Sequence, residues 1–295
     1  MEETLSKIKC VRKGEKDYPE RLYSLPHMPD ELFYVENLPK DHTPSVAIVG
    51  ARSSSVYGRA QAFRYAKTFS EAGVAVISGL AAGIDSEGHK GALAGTTPTF
   101  AVLGSGVDVC YPSSNKTLYE KILRQGGGIL SEFAPGTPPL SYHFPLRNRI
   151  ISGLADLVLV VEARKKSGSL ITANHALEQG KTVYALPGQV NDALSRGCNE
   201  LIFDGAGIAY CPEVILAELG IDSGQKKEKE QMKRLSKEEE RIFELLKENE
   251  LTSTEQLIRQ SGFNAETVNR IVMRLLIDDI IMEEGRNQYA KKPLA

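Results

Sequence analysis

The 295-residue chain has only four cysteines, Cys10, Cys110, Cys198 and Cys211. No two stand at CxxC spacing, so the pattern of a thiolate zinc site is missing. So sparse a set in so long a chain makes no disulfide framework, which fits a reducing, cytoplasmic setting. A surplus of one charge is missing too: 36 Lys and Arg face 38 Asp and Glu, a formal net charge of −2. Any nucleic-acid site must then be a local gathering of Arg, Lys and backbone N–H groups. No apolar run reaches the about 18 residues that a membrane span needs. Met1-Glu2-Glu3-Thr4-Leu5 lacks the basic-then-apolar pattern of a secretion signal.

Common nucleotide-binding signatures are absent as well. The full G-x-x-x-x-G-K-S/T pattern does not occur, hence no Walker A loop. After the first expected strand, Gly50 is followed by Arg52 where a dinucleotide fingerprint needs its second glycine. The second strand ends in Ser78-Gly79 rather than in a ribose-binding acid. NAD binding is therefore not expected. His27, His42, His143 and His175 make no metal-ligand spacing, so neither a metal nor a cofactor is implied. Asp85 and His89, at i and i+4, would share a helix face and read as a structural pair at a helix start. No G-x-S-x-G elbow supplies a nucleophile to complete a catalytic triad with them.

What is present is strand–helix alternation, in a chain that is 41% hydrophobic. Short, nearly continuous Val/Ile/Leu runs occur at Val46–Val49, Val74–Ile77, Phe100–Leu103, Gly128–Leu130, Leu157–Val161 and Thr182–Leu186. Continuous rather than alternating runs mark strands buried on both faces. Helical segments lie between them, at Arg59–Glu71, Asn115–Arg124, Arg149–Leu154 and Ser169–Gln179. This predicts an α/β fold: a Rossmann-like, doubly wound, mostly parallel sheet over residues 45–212. Residues 1–44 read as an N-terminal extension, with Leu32–Val35 as a possible short strand. A charged linker is expected over 213–235 and a winged-helix-like domain over 236–295. Ser236–Glu239 and Thr252–Glu255 fit capping boxes there, and Asn264 can cap a third helix. In this tail twelve Asp and Glu exceed nine Lys and Arg, which favours protein contact or regulation over duplex reading.

The strand ends are rich in small and polar residues: Gly50–Ser55, Ser78–Asp85, Gly104–Gly106 and Lys165–Thr172. Ligands of open parallel sheets bind at this edge. Small residues let an anion approach the backbone, and helix N-termini attract it. Several such loops together make a cradle larger than one phosphate requires. Gly104-Ser105-Gly106 on its own equally reads as a tight turn. Residues 133–149 read as a long Pro/Gly loop bearing Tyr142, His143, Phe144, Arg147 and Arg149. Aromatic rings beside arginines suit an unpaired strand. The plain alternative is that Phe144 plugs the loop onto the core and Arg147 pairs with a carboxylate.

The strings Ile48-Val49-Gly50-Ala51-Arg52, Ser78-Gly79-Leu80-Ala81-Ala82-Gly83-Ile84-Asp85, Tyr111-Pro112, Phe144-Pro145-Leu146-Arg147-Asn148-Arg149, Ser167-Gly168-Ser169-Leu170-Ile171-Thr172 and Leu186-Pro187-Gly188 stand in a telling order. Their sequence and spacing over residues 17–212 resemble the DprA (Smf) family. The resemblance implies a non-enzymatic binder of single-stranded DNA, a homodimer that protects DNA during natural transformation (competence) and loads RecA recombinase onto it. It places Gly50, Arg52, Phe144, Arg147, Asn148 and Arg149 in the DNA pocket and makes Ser167, Gly168, Ser169 and Thr172 a phosphate loop. Lys165 and Lys166 flank that loop, and Ser53, Gly79 and Gly104 join it from other strand ends. Only 16 residues precede Asp17, so the helical SAM-like domain that many members carry there is expected to be missing or vestigial. A nucleotide sensor or an enzyme similar to the lysine-decarboxylase-like phosphoribohydrolases is the alternative on this fold. Their P-G-G-x-G-T motif is absent; Pro187-Gly188-Gln189-Val190 does not match it.

Overall fold

A computed structural model describes residues 8–221, 235–247, 251–277, 280–283 and 287–291. The chain divides after Ile221 into two compact units. In the first, seven parallel strands run through the centre: β3 (Ser45–Val49), β4 (Ala75–Ser78), β5 (Thr99–Val102), β6 (Gly128–Ser131), β7 (Leu157–Val160), β8 (Thr182–Ala185) and β9 (Gly207–Ile208). β3 to β7 are buried at every residue, which is why their sequences read as unbroken apolar runs. The order across the sheet is β6-β5-β4-β3-β7-β8-β9. The chain thus winds outward from β3 to β6, then returns to the other side of β3 for β7. The carboxyl ends of β3 and β7 flank that reversal, the position where open α/β sheets bind ligands.

The helices are α1 (Glu20–Tyr23), α2 (Val56–Glu71), α3 (Ile84–Leu93), α4 (Lys116–Arg124), α5 (His143–Leu154), α6 (Gly168–Glu178), α7 (Arg196–Phe203) and α8 (Pro212–Glu218). One face of the sheet packs on Ile150, Ile151 and Leu154 of α5, Ala173 and Ala176 of α6 and Cys198 of α7. The other packs on Ala62, Tyr65 and Phe69 of α2, Ile84 and Ala92 of α3, and Ile215 and Leu216 of α8. The doubly wound expectation therefore holds.

Three boundaries differ from the sequence reading. Residues before 45 are not a separate extension: β1 (Ile8–Arg12) and β2 (Glu31–Glu36) add to the sheet, with β2 antiparallel to β6 through Phe33–Ser131. Residues 213–221 are not linker as expected, because α8 continues the fold and buries Ile215 and Leu216; the rest of the expected linker up to residue 234 lies outside the described ones. The loop expected over 133–149 ends at Tyr142, and Arg147 to Arg149 lie on α5.

The second unit contains α9 (Lys237–Leu245), β10 (Thr252–Ser253), α10 (Thr254–Ser261), α11 (Ala265–Ile277), β11 (Ile281–Glu283) and β12 (Gln288–Lys291), with strand order β10-β12-β11. Its core gathers Ile242, Phe243, Leu257, Val268, Ile271, Val272, Leu275 and Tyr289. Ser236 and Glu239 form the expected capping box. The next box is Ser253 with Gln256, one residue on from the expected Thr252–Glu255, because Thr252 belongs to β10. Asn264 Oδ1 accepts the Thr267 N–H at 2.8 Å. Residues 284–286, between β11 and β12, lie outside the described ones. No described helix is long and apolar enough to cross a membrane, and no group of His, Cys, Asp and Glu among the described residues could hold a metal ion.

Candidate nucleic-acid interface

A cavity of about 590 Å³ opens at the carboxyl ends of β3 and β7. Three segments build its walls: Val49–Ser53 after β3, Arg164–Thr172 after β7, and the first turns of α5. Gly50 lets α3 close in behind it, since a Cβ there would stand 2.6 Å from the Ile84 side chain. On α5, Phe144, Arg147, Asn148 and Ile151 all reach the cavity. They are spaced i, i+3, i+4 and i+7, one face of a helix. Pro145 sits in the first turn, where its missing N–H costs no helical hydrogen bond.

The wall after β7 has the chemistry of an anion site. Ser167 caps α6, with its Oγ accepting the Ser169 N–H at 3.4 Å and standing 2.7 Å from Ser169 Oγ. A Cβ on Gly168 would meet nothing within 4 Å, so the helix start is open to a ligand. Asn148 Nδ2 donates to the Gly168 carbonyl at 3.2 Å and fixes this turn to α5. The positive end of the helix dipole and the free first-turn N–H groups favour an anion there.

Charge points the same way. Arg52, Arg147, Arg164 and Lys166 line the cavity against one carboxylate, Asp85. Arg52, Arg164 and Lys166 are exposed and pair with no carboxylate among the described residues. The Arg52 guanidinium carbon lies 4.9 Å from the centre of the Phe144 ring. Arg147 differs: it is 3% exposed and donates to the Val102 carbonyl. Burial pulls its guanidinium down to about 10; the Asp85 carboxylate opposes that shift and Arg52 adds to it. Arg147 therefore stays charged at neutral pH, as the floor of the cavity. Burial pushes Asp85 up, against the Arg147 charge and the Gly79 N–H that it accepts at 3.1 Å. His89 does not pair with Asp85 as expected. Its Nδ1 lies 2.8 Å from Thr99 Oγ1, and burial holds the imidazole down at about 3, so it is neutral.

Of the residues expected at the site, Gly50, Arg52, Ser53, Phe144, Arg147, Asn148, Lys166, Ser167, Gly168, Ser169 and Thr172 converge on this cavity. Four do not line it. Gly79 lies behind Arg147, where a Cβ would strike Nη1. Gly104 backs Phe144, where a Cβ would be 2.9 Å from the ring. Arg149, also on α5, turns away into an ion pair with Glu132. Lys165 is held by Glu200 at 3.2 Å. The sequence reading missed Tyr111 and Arg164, which do line the cavity. Arg164 stands four residues after the end of β7 and was findable by summing charge along the sheet edge. Tyr111 lies in a loop well after β5; the Tyr111-Pro112 string marked the position without placing it in the pocket.

Fold and cavity together define a doubly wound α/β protein with an anion-attracting cleft at its switch point. The family described as DNA recombination-mediator protein A matches residues 9–220, and the chain belongs to it. Protein Smf of Escherichia coli is 45% identical over 202 residues, which cover 68% of this chain and 54% of that protein. DNA processing protein DprA of Streptococcus pneumoniae is 43% identical over 68% of this chain and 71% of its own length. The chain thus spans little more than half the length of some relatives. The X-ray structure of the pneumococcal protein superposes with a TM-score of 0.68 at 40% identity, covering 74% of this chain and 76% of that one. DNA processing protein A of Helicobacter pylori, solved for its single-stranded DNA binding mode, gives 0.65 at 28% identity over 72% of this chain and 95% of that one.

Proposed function

We propose that the chain binds single-stranded DNA in this cavity, protects it during DNA uptake and recombination, and hands it to RecA recombinase. It does so as a cytoplasmic homodimer and catalyses no reaction. One observation carries the DNA reading: three exposed cations without carboxylate partners, a capped helix N-terminus and an aromatic ring face one cavity. Phosphates need the first two, and bases that are free of a duplex need the third. The relative from Helicobacter pylori, whose structure concerns single-stranded DNA, supports this choice over a free nucleotide. RecA loading and dimerisation rest on family membership. The second unit is read as a winged-helix-type module for protein contact. Arg270 and Arg274 of α11 support this, being spent on Glu238 at 3.2 Å and Glu239 at 3.1 Å.

The test is an anisotropy titration of the full chain with labelled oligo-dT and with a duplex of equal length. Tighter binding of the single strand is expected. Equal affinity for both, or release of base from nucleoside monophosphates at enzymatic rates, would overturn the reading. Light scattering checks the dimer, and co-retention of RecA on chain-coated oligo-dT checks loading.

A further inference from the structure

The cavity is lined by two chemically different sets of groups: the cations Arg164 and Lys166 with the start of α6, and the neighbouring rings of Tyr111 and Phe144. Of the two rings, Phe144 is already hemmed in by Gly104, by Arg52 at 4.9 Å and by Arg147 at 6.0 Å from its ring centre. Tyr111 is 44% exposed, and its hydroxyl has no hydrogen-bond partner among the described residues. Its ring centre lies 5.6 Å from that of Phe144, with the planes at 37°. The turn that carries it is pinned. The Asn115 N–H donates to the Pro112 carbonyl at 3.0 Å, and Asn115 Nδ2 donates to the Leu80 carbonyl at 2.8 Å and to Ser86 Oγ at 2.9 Å. A ring held in place by its own turn loses little freedom when something flat covers it.

We infer that Tyr111 is the base-stacking residue of this cavity: one nucleobase of the bound strand lies on its ring beside Phe144, while the backbone crosses to Arg164, Lys166 and the start of α6. This rests on the nucleic-acid reading above. Stacking on an aromatic ring is tolerant of base identity, because every base presents a π face. It also excludes duplex, whose bases are stacked on one another. Tyr111 thus supplies single-strand preference, and the cations supply sequence-independent grip.

The experiment compares two ligands of equal length and charge at fixed salt: oligo-dT, and the same backbone with every base removed. The readout is the ratio of their affinities for the full chain, with Tyr111, Tyr111→Phe, Tyr111→Leu and Tyr111→Ala. The ratio should fall about 5- to 100-fold in Tyr111→Ala. It should fall similarly in Tyr111→Leu, which keeps apolar bulk without a ring, and Tyr111→Phe should restore it. An unchanged ratio in Tyr111→Ala or Tyr111→Leu would overturn the assignment while leaving the DNA reading intact. A natural chain that binds neither ligand would overturn both.

Discussion

Two arginines face the same cavity and do different jobs. Arg52 is exposed, lies over the Phe144 ring and has no carboxylate partner among the described residues, so Arg52→Ala removes a ligand contact at little structural cost. Its loss should weaken oligo-dT binding about 10- to 100-fold, the worth of a charge-assisted contact, and change stability by under about 0.5 kcal/mol. Arg147 is buried, its charge opposes the burial of Asp85, and it donates to the Val102 carbonyl, so Arg147→Ala removes the compensating charge and that hydrogen bond together. Losing the cation that compensates a buried carboxylate costs about 3 kcal/mol or more. Urea unfolding should separate the two variants; equal stability would refute the floor role given to Arg147. His89 adds a pH dependence. Its folded value, about 3, lies below the ordinary 6.5. Below 6.5 the unfolded chain takes a proton that the folded chain refuses, so stability is lost as pH falls toward 3. The slope is at most about 1.4 kcal/mol per pH unit. The raised Asp85 works the other way, since the folded form gains that proton first. Comparing natural chain with His89→Gln cancels the Asp85 part: the natural chain should lose more stability between pH 6.5 and 4, and identical pH profiles would contradict a neutral His89.

α5 carries Phe144, Arg147 and Asn148 into the cavity from its start, yet it is anchored at its far end. Lys181 Nζ donates to the carbonyls of Ser152 at 2.9 Å and of Gly153 and Ala155, and Arg21 Nη1 donates to that of Leu154 at 2.9 Å. Terminal helix carbonyls have no partners within the helix, and cations there also oppose the dipole. Lys181→Met keeps the stem and removes the donor. It should cost about 1–3 kcal/mol, the range for buried acceptors left unmatched, and lower oligo-dT affinity by loosening the helix. Thermal unfolding and the same titration check both; a stable variant would show that water replaces the ammonium. This helix also shows why the sequence was legible only in part. Buried strands were plain, because two covered faces force unbroken apolar runs such as Leu157–Val160. The start of α5 was hidden by the prolines at 135, 138, 139 and 145, although the last is harmless in a first turn. β1 was obscure because this edge strand leaves Lys9, Cys10 and Arg12 exposed, and although Leu32–Val35 suggested a strand, no local pattern shows that β2 pairs with β6 92 or more positions away: Glu36 meets Gly128. Lys165 and Arg149 looked no different from Lys166 and Arg147 in sequence; only Glu200 and Glu132, brought in by the fold, take them out of the site.

At the scale of the whole molecule, a chain of net charge −2 should repel a polyanion at long range. Binding then depends on the local group of unpaired cations, and its salt dependence counts them. Arg52, Arg164 and Lys166 are the exposed cations of the cavity without carboxylate partners. Each phosphate neutralised on a single strand contributes about −0.7 to the slope of log affinity against log salt, so three give about −2 for each occupied cavity. A strand that instead tracked scattered surface lysines would give a steeper slope, and one held by stacking alone a nearly flat one. Arg164→Ala should reduce the slope by about 0.7, whereas Lys165→Ala should leave it unchanged, because Lys165 does not line the cavity and lies against Glu200. The comparison is demanding, since the two residues are neighbours in sequence and carry the same charge. If both substitutions shift the slope alike, the bound strand is following the general charge of the loop after β7 and not the cavity wall.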